Sequence, residues 1–304
     1  MEHRIALSVV VPTYRSAGHF DLFFRQLVAG LRELKRACEI VVVDDGSDDG
    51  TRDLLLGLVR RAKASQSKGH EQASGKFPVG LRLILLERNA GQQQASLCGI
   101  IHARGDAIAT MDDDLQHPPG QIARLLEKLD EGFDLVYGVP AGRSPGAVRK
   151  LGSLLRDLLF LLLFGKRAFG RRPTSFRVFR SELVDRMLDI QPGRNRKELE
   201  TEGPSAAHRG DSPEAENLGG RQYGAPVHSF LYLSAEFFRL TGNIAMVAYP
   251  SPSREIHHSR YPLARLVRTF AGLVLYVPVF PAGLRRHFGG VRWKVSEILE
   301  GELS

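Results

Sequence analysis

The chain has 304 residues, 43% of them apolar and 25% charged, a globular composition with room for one large domain or two average ones. Its 42 Lys and Arg against 34 Asp and Glu leave a formal charge of +8 and a pI near 9.7, which points to an anionic partner: nucleotide, nucleic acid or membrane. Only two cysteines occur, Cys38 and Cys98, which excludes a disulfide framework and a thiolate zinc site and fits a reducing, cytosolic setting.

The first apolar run, Ile5 to Val11, is short, β-branched and stopped by Pro12, so it reads as a strand and not as a secretory leader. Next, Phe20, Phe23, Phe24, Leu27, Leu31 and Leu34 recur three and four apart, the stripe of a buried amphipathic helix. Further runs at 39–43, 81–86, 107–111 and 134–138, separated by segments of helical period, continue a β-α alternation to about residue 140. That alternation predicts an α/β fold with a mainly parallel sheet flanked by helices. Two polar stretches, 63–77 and 193–222, have the composition of surface loops or disorder.

Beyond residue 140 the chain turns basic: Arg143 to Arg180 holds ten Lys or Arg and one acidic residue, Asp157. Within it Val148, Leu151, Leu154, Leu155, Leu158, Leu159 and Leu162 are helically spaced between Arg149, Lys150, Arg156, Lys166 and Arg167. That is the pattern of a helix lying in a membrane interface, and equally of a core helix with a solvated basic rim. A second such segment surrounds the apolar stretch 270–284, broken by Pro278 and Pro281. No apolar run approaches the roughly 20 residues of a membrane span, so none is expected.

The sharpest motif, Met111-Asp112-Asp113-Asp114-Leu115-Gln116-His117-Pro118-Pro119, follows the run 107–111 directly. Three adjacent carboxylates repel one another and need a compensating cation, and ligands of α/β proteins bind at this end of a parallel sheet. Strand alternation would turn Asp112 and Asp114 one way and Asp113 the other, so the first and third could share a hard divalent ion with nucleotide phosphates. The simpler reading is a helix N-cap before Pro118, for which one Asp suffices. A twin lies at Val43-Asp44-Asp45-Gly46-Ser47, where acidic groups can hold a ribose or base, or form a plain turn. Pro12-Thr13-Tyr14-Arg15 and Arg88-Asn89-Ala90-Gly91-Gln92 occupy the equivalent position, so four strand ends converge on one crevice.

Other nucleotide signatures are absent: no G-x-G-x-x-G follows the first strand and there is no P-loop or H-E-x-x-H. His257-His258 lacks metal-spaced partners, and Cys38 and Cys98 read as small core residues.

The ordered set at 9–14, 43–47, 88–92 and 111–119 resembles family 2 glycosyltransferases of the GT-A fold, and within them polyprenyl-phosphate glycosyltransferases of the dolichyl-phosphate mannose synthase type. The likeness extends through Val136-Tyr137-Gly138, Ser175 to Arg180 and Arg254 to Tyr261. It implies that Asp112, Asp114 and Gln116 surround a divalent cation, Mg2+ or Mn2+, with Asp114 the residue whose loss hurts most. It also implies that Pro12, Tyr14, Asp44, Asp45, Asn89, Gln92, Asp112 and Asp113 bind the donor nucleotide. Arg143 and Arg177 would then act on the phosphates in catalysis, with Arg149, Arg254, Ser259 and Tyr261 at the acceptor phosphate.

Two departures from the family pattern stand out. Val139-Pro140 follow Gly138 where members often have Ser-Arg, which displaces the phosphate-binding Arg to Arg143; His258 stands where a Gly commonly precedes the final Ser-x-Tyr. The implied domain division is a catalytic domain over 1–250 and an acceptor and membrane-interface segment over 251–304. The implied reaction is inverting transfer of a sugar from a UDP- or GDP-sugar to a polyprenyl phosphate. The expected location is cytoplasmic, at the inner face of the membrane, held there peripherally by the basic segments. No nucleic-acid partner is expected, since the acidic triplet would repel a polyanion. Two rivals remain at this stage, a saccharide or other hydroxyl acceptor, which would require a general base, and a non-catalytic basic membrane-binding protein.

Overall fold

Unbroken apolar runs, rather than alternating ones, make the centre of the sheet. In a computed structural model that describes residues 4–67, 77–141, 161, 170–188, 233–250 and 294–303, β1 (Leu7–Thr13) and β2 (Cys38–Asp44) are buried at every position. Strands of this kind need helices on both faces. The chain supplies them as α1 (Phe20–Glu33), α2 (Thr51–Ser67) and α3 (Gln92–His102), with β3 (Val79–Leu86) and β4 (Ala107–Thr110) completing the alternation. After a short 3-10 turn at Pro119–Gln121 come α4 (Ile122–Asp130), β5 (Leu135–Ala141), β6 (Arg177–Arg180), α5 (Glu182–Met187), α6 (Leu233–Leu240), β7 (Ile244–Pro250) and β8 (Val295–Leu303).

The eight strands form one sheet in the order β7-β5-β6-β4-β1-β2-β3-β8. β3, β2, β1 and β4 are mutually parallel, while β6 and β8 run antiparallel to their neighbours. The expected mainly parallel sheet is present, with two reversed strands that the apolar runs did not announce. Alternate residues feed the two faces: Leu7, Val9 and Val11 pack with α1, α2 and α4, whereas Val10, Val41 and Val43 pack with α3, α5 and α6. The predicted stripe of α1 is buried at Phe20, Phe23, Phe24, Leu27 and Leu31, with Leu34 partly buried.

Three sequence expectations change. Residues 63–67, read as loop, continue α2, because composition alone does not end a helix that is already nucleated. Residues 295–303, set apart with the C-terminal segment, are instead an edge strand of the catalytic sheet, paired along all of β3. The acidic triplet caps no helix: Pro118 precedes the 3-10 turn and Gln121 precedes α4, neither through a side-chain bond. The stretch 193–222 and the amphipathic segments at 148–160 and 270–284 lie outside the described residues. Among the described residues no helix is long and apolar enough to cross a membrane.

The parallel strands set the two ends of the sheet apart. β5 and β7 run parallel to β4, so Ala141 and Pro250 lie at the edge where β1 to β4 end, and the antiparallel β8 begins there beside Leu86. At the opposite edge, buried Glu39 accepts from Ser8 Oγ (2.5 Å) and the Arg104 amide (2.6 Å). Burial pushes the Glu39 carboxyl up, against the pull of these donors. Arg82, nearly enclosed, meets Glu300 of β8 at 2.9 Å, and Arg104 meets the same carboxylate at 3.0 Å. Glu300→Ala is therefore expected to lower stability by about 1–3 kcal/mol, because a buried guanidinium loses its carboxylate. Half-exposure of Glu300 places the value at the low end of that range. An unchanged denaturation midpoint would show that β8 is held by its ladder alone.

Candidate active site

Four loops meet at the C-terminal edge of β1 to β4, and hydrogen bonds tie each to the next. The Arg15 amide donates to Ser47 Oγ (3.0 Å) and the Ser16 amide to Thr51 Oγ1 (2.8 Å), joining the β1 and β2 loops. Asp45 joins the β2 and β3 loops by accepting from the Ala90 amide (2.7 Å) on one oxygen and the Gly91 amide (2.9 Å) on the other. Burial raises the Asp45 carboxyl despite these two donors. Gly46 makes the approach feasible: its φ is +70°, and a Cβ there would meet the Arg88 carbonyl carbon and Asn89 nitrogen at 2.7 Å.

The triplet after β4 distributes its charges over three environments. Asp112 turns inward, with Gln92 Nε2 donating to one oxygen (2.5 Å) and Ser175 Oγ to the other (2.6 Å). Burial drives its carboxyl upward and the neighbouring Asp114 adds to this, with Ser175 and His117 opposing. Asp113 turns away, accepting from Thr13 Oγ1 (2.5 Å) with His19 Nε2 at 3.7 Å. Asp114 is exposed and accepts from the Gln116 amide (3.1 Å), a tight turn for which Leu115 takes a left-handed φ of 61°. The opposed directions expected of Asp112 and Asp113 are present, but β4 ends at Thr110, so this turn and not the strand pleat sets them.

A second layer supports Asp112. His117 Nδ1 lies 2.6 Å from Tyr249 Oη and its Nε2 lies 3.4 Å from Ser175 Oγ, with the imidazole stacked on Phe176 at 5.3 Å. Burial lowers His117 and lifts Tyr249 to about 12, leaving a neutral imidazole beside a protonated phenol at pH 7. Phe176 fits because Gly138 faces it: a Cβ at 138 would come within 2.3 Å of the ring. Below, Thr110 Oγ1 donates to the Ser175 carbonyl (2.5 Å) and accepts from Arg177 Nε (3.2 Å).

The expected site residues thus fall into three groups. Tyr14, Asn89, Gln92, Asp114 and Gln116 are exposed at the crevice, and Asp112 and Asp113 are partly open to it. Pro12, Asp44, Asp45 and Arg177 are shut in. Asp44 is fully buried and receives the Ser47 amide (3.1 Å) and Arg52 Nε (3.1 Å). Arg177 bonds to Ser234 Oγ (2.9 Å) and lies over the Phe237 ring at 5.1 Å. Burial pulls its guanidinium below the ordinary range, with Tyr137 and Asp112 acting the other way. Arg143, Arg149, Arg254, Ser259 and Tyr261 lie outside the described residues. Sequence reasoning missed Arg52, Ser175, His117 and Tyr249 as members of this assembly; only the placement of His117 within the acidic motif offered a signal.

The donor set suits a hard divalent cation. Among the described residues no Lys or Arg pairs with the triplet, and no cluster of three His, Cys, Asp or Glu forms a closed metal cage. Asp112 and Asp114 as two carboxylate donors, with the remaining positions left to water and substrate oxygens, are what Mg2+ and Mn2+ accept when they bind phosphates.

Residues 8–189 match the family described as Glycosyl transferase family 2. Undecaprenyl-phosphate 4-deoxy-4-formamido-L-arabinose transferases of Salmonella paratyphi A and Salmonella dublin are each 37% identical over 182 residues, 60% of this chain and 51% of theirs. The chain therefore spans about half the length of these curated relatives. Among solved structures, Mycobacterium tuberculosis glucosyl-3-phosphoglycerate synthase in complex with Mn2+, UDP and phosphoglyceric acid superposes with a TM-score of 0.51 at 18% identity, covering 89% of this chain and 76% of that one. Mannosyl-3-phosphoglycerate synthase of Rubrobacter xylanophilus gives 0.50 at 17%, over 98% and 88% of the two chains. At such identities the likeness is one of fold. The family match takes in the ends of all four strands that open on the crevice, together with Asp112, Asp114, Ser175 and Arg177, and the chain belongs to glycosyl transferase family 2.

Proposed function

We propose that the protein transfers a sugar from a nucleotide-sugar to a polyprenyl phosphate with inversion at the anomeric carbon. The observation that carries the donor half is the Asp112–Asp114 pair, held at the open end of the parallel strands without a Lys or Arg partner among the described residues. Support for the acceptor half comes from the 37% identity to proteins named undecaprenyl-phosphate sugar transferases.

Asp112, Asp114 and Gln116 would hold Mg2+ or Mn2+, which when bound supplies positive charge to the leaving diphosphate. Tyr14, Asn89 and Gln92 offer exposed groups to the nucleotide, while Asp44 and Asp45 act from behind by fixing the loops that carry them. Arg177, enclosed beneath Ser175, serves the phosphates through the geometry of Thr110 and Ser175 instead of by contact. An acceptor phosphate is anionic at neutral pH and needs no general base, so the protein's task is to bring two anions together. Arg143, Arg149 and Arg254, with Ser259 and Tyr261, are assigned to that task. In sequence Arg143 follows Ala141 by two residues and Arg254 follows Pro250 by four, and both strand ends lie at the crevice edge. The basic segments beyond these points provide peripheral attachment to the inner face of an anionic membrane.

The decisive assay is nucleoside diphosphate release from UDP- and GDP-sugars with Mg2+ or Mn2+, each with and without a short polyprenyl phosphate. Release that requires the lipid phosphate and yields glycolipid is expected. Release with a water-soluble sugar and no lipid would overturn the acceptor assignment, and silence across the panel would overturn the transfer itself. Asp114→Asn is expected to cut turnover roughly a hundredfold or more, since losing one carboxylate at the cation removes a few kcal/mol of charge stabilisation. Near-normal turnover in that variant would remove Asp114 from the site.

A further inference from the structure

Tyr249 lies far from the acidic motif in sequence, on β7, yet its hydroxyl is 2.6 Å from His117 Nδ1. The direction of the hydrogen bonds that follow is fixed by chemistry. A carboxylate oxygen only accepts, so the 2.6 Å contact between Ser175 and Asp112 commits the serine proton to Asp112. The far side of the imidazole, Nε2, then faces two acceptors, Ser175 Oγ at 3.4 Å and Asp112 Oδ2 at 3.9 Å. A neutral histidine placed so carries its proton on Nε2, which leaves Nδ1 as an acceptor and makes the tyrosine the donor. The whole chain runs one way, from Tyr249 through His117 and Ser175 to Asp112.

We propose that Tyr249 is a positioning residue for the donor site, which locks His117 in its Nε2–H tautomer and thereby holds the Ser175 hydroxyl on Asp112. The proposal rests on the reading of Asp112 as a carboxylate of the cation site. Without the Tyr249 proton, His117 can place its own proton on Nδ1. Nε2 then accepts and competes with Asp112 for the Ser175 hydroxyl, so one of the two bonds that orient the carboxylate is lost. Outer partners of this kind typically tune metal affinity by 10- to 100-fold. Edge-on packing of Tyr249 against Phe176 at 5.6 Å does not involve the hydroxyl and survives Tyr249→Phe.

Two readouts that need neither sugar nor acceptor test this. Ring-nitrogen NMR of the full chain, with His117 assigned through His117→Gln, is expected to show the Nε2–H tautomer in the wild type and a shift toward Nδ1–H in Tyr249→Phe. Titration with Mn2+ alone, followed by electron paramagnetic resonance, is expected to show roughly tenfold weaker binding in Tyr249→Phe. In a His117→Gln background the same tyrosine change is expected to alter Mn2+ affinity less than about twofold, because its route to Asp112 is already cut. A wild-type Nδ1–H tautomer overturns the proposal, as does unchanged Mn2+ affinity in Tyr249→Phe or an undiminished tyrosine effect in the His117→Gln background. If Tyr249→Phe fails to fold, the wild-type tautomer decides. Transfer assays fail independently: an intact tautomer and intact Mn2+ affinity with no sugar transfer would count against the proposed reaction and not against this arrangement.

Discussion

Three consecutive carboxylates cannot share one environment, and the site is built around keeping them apart. Each takes a different solution: Asp112 is enclosed by hydrogen-bond donors, Asp113 turns to the β1 loop, and Asp114 stays in water. The enclosed one carries the burden, since burial and a like charge both raise its carboxyl. Donors from α3 and from the segment before β6 offset part of that cost, so elements from both sides of β4 must be in register before Asp112 is held. The left-handed backbone at Leu115 belongs to the same compromise, a local strain accepted where the turn carries Asp114 out to solvent.

Close packing of main chain makes that register exact enough to matter. Gly46 lets the β2 loop lie against Arg88 and Asn89, where Asp45 can take two amides at once. Gly138 does the equivalent on the other flank by admitting the Phe176 ring, on which His117 stacks. Neither glycine touches a ligand position, yet each determines where a carboxylate ends up. Arg177 acts in the same indirect manner: its charge is enclosed, but through Thr110 it fixes the carbonyl of Ser175, whose hydroxyl reaches Asp112.

The central fold was legible because β1 to β4 and α1 are decided by local pattern. Continuous β-branched runs and a three-four apolar stripe have few other uses, and the observed bounds differ from the expected ones by a residue or two at most ends. The crevice was legible for a different reason, that strand ends of a parallel sheet share one edge. What the sequence hid depends on contacts between distant segments. β8 is a short acidic strand whose partner, β3, lies more than two hundred residues earlier, and nothing local distinguishes it from a surface segment. Tyr249 and Ser175 are ordinary residues until the fold sets them beside His117. Asp44, Asp45 and Arg177 were found as important positions, but burial, which a motif does not report, determines that they act on loops and backbone.

The two ends of the sheet divide the work of stability and function. At the edge where the parallel strands begin, Glu39, Arg82, Arg104 and Glu300 form a paired network that fastens β8 across the start of β3. At the edge where they end, the triplet has no cationic side chain against it among the described residues. Charge that could have been neutralised internally, in a chain with eight excess positive charges, is left for a ligand. The same edge is where the chain leaves the sheet at Ala141 and Pro250 and rejoins it at β8, so the anchoring of β8 at both its ends bears directly on how firmly the flank of the crevice is held. Stability concentrated at one edge is what permits electrostatic frustration at the other, since a loop carrying unpaired carboxylates keeps its shape only when the strands beneath it do not move.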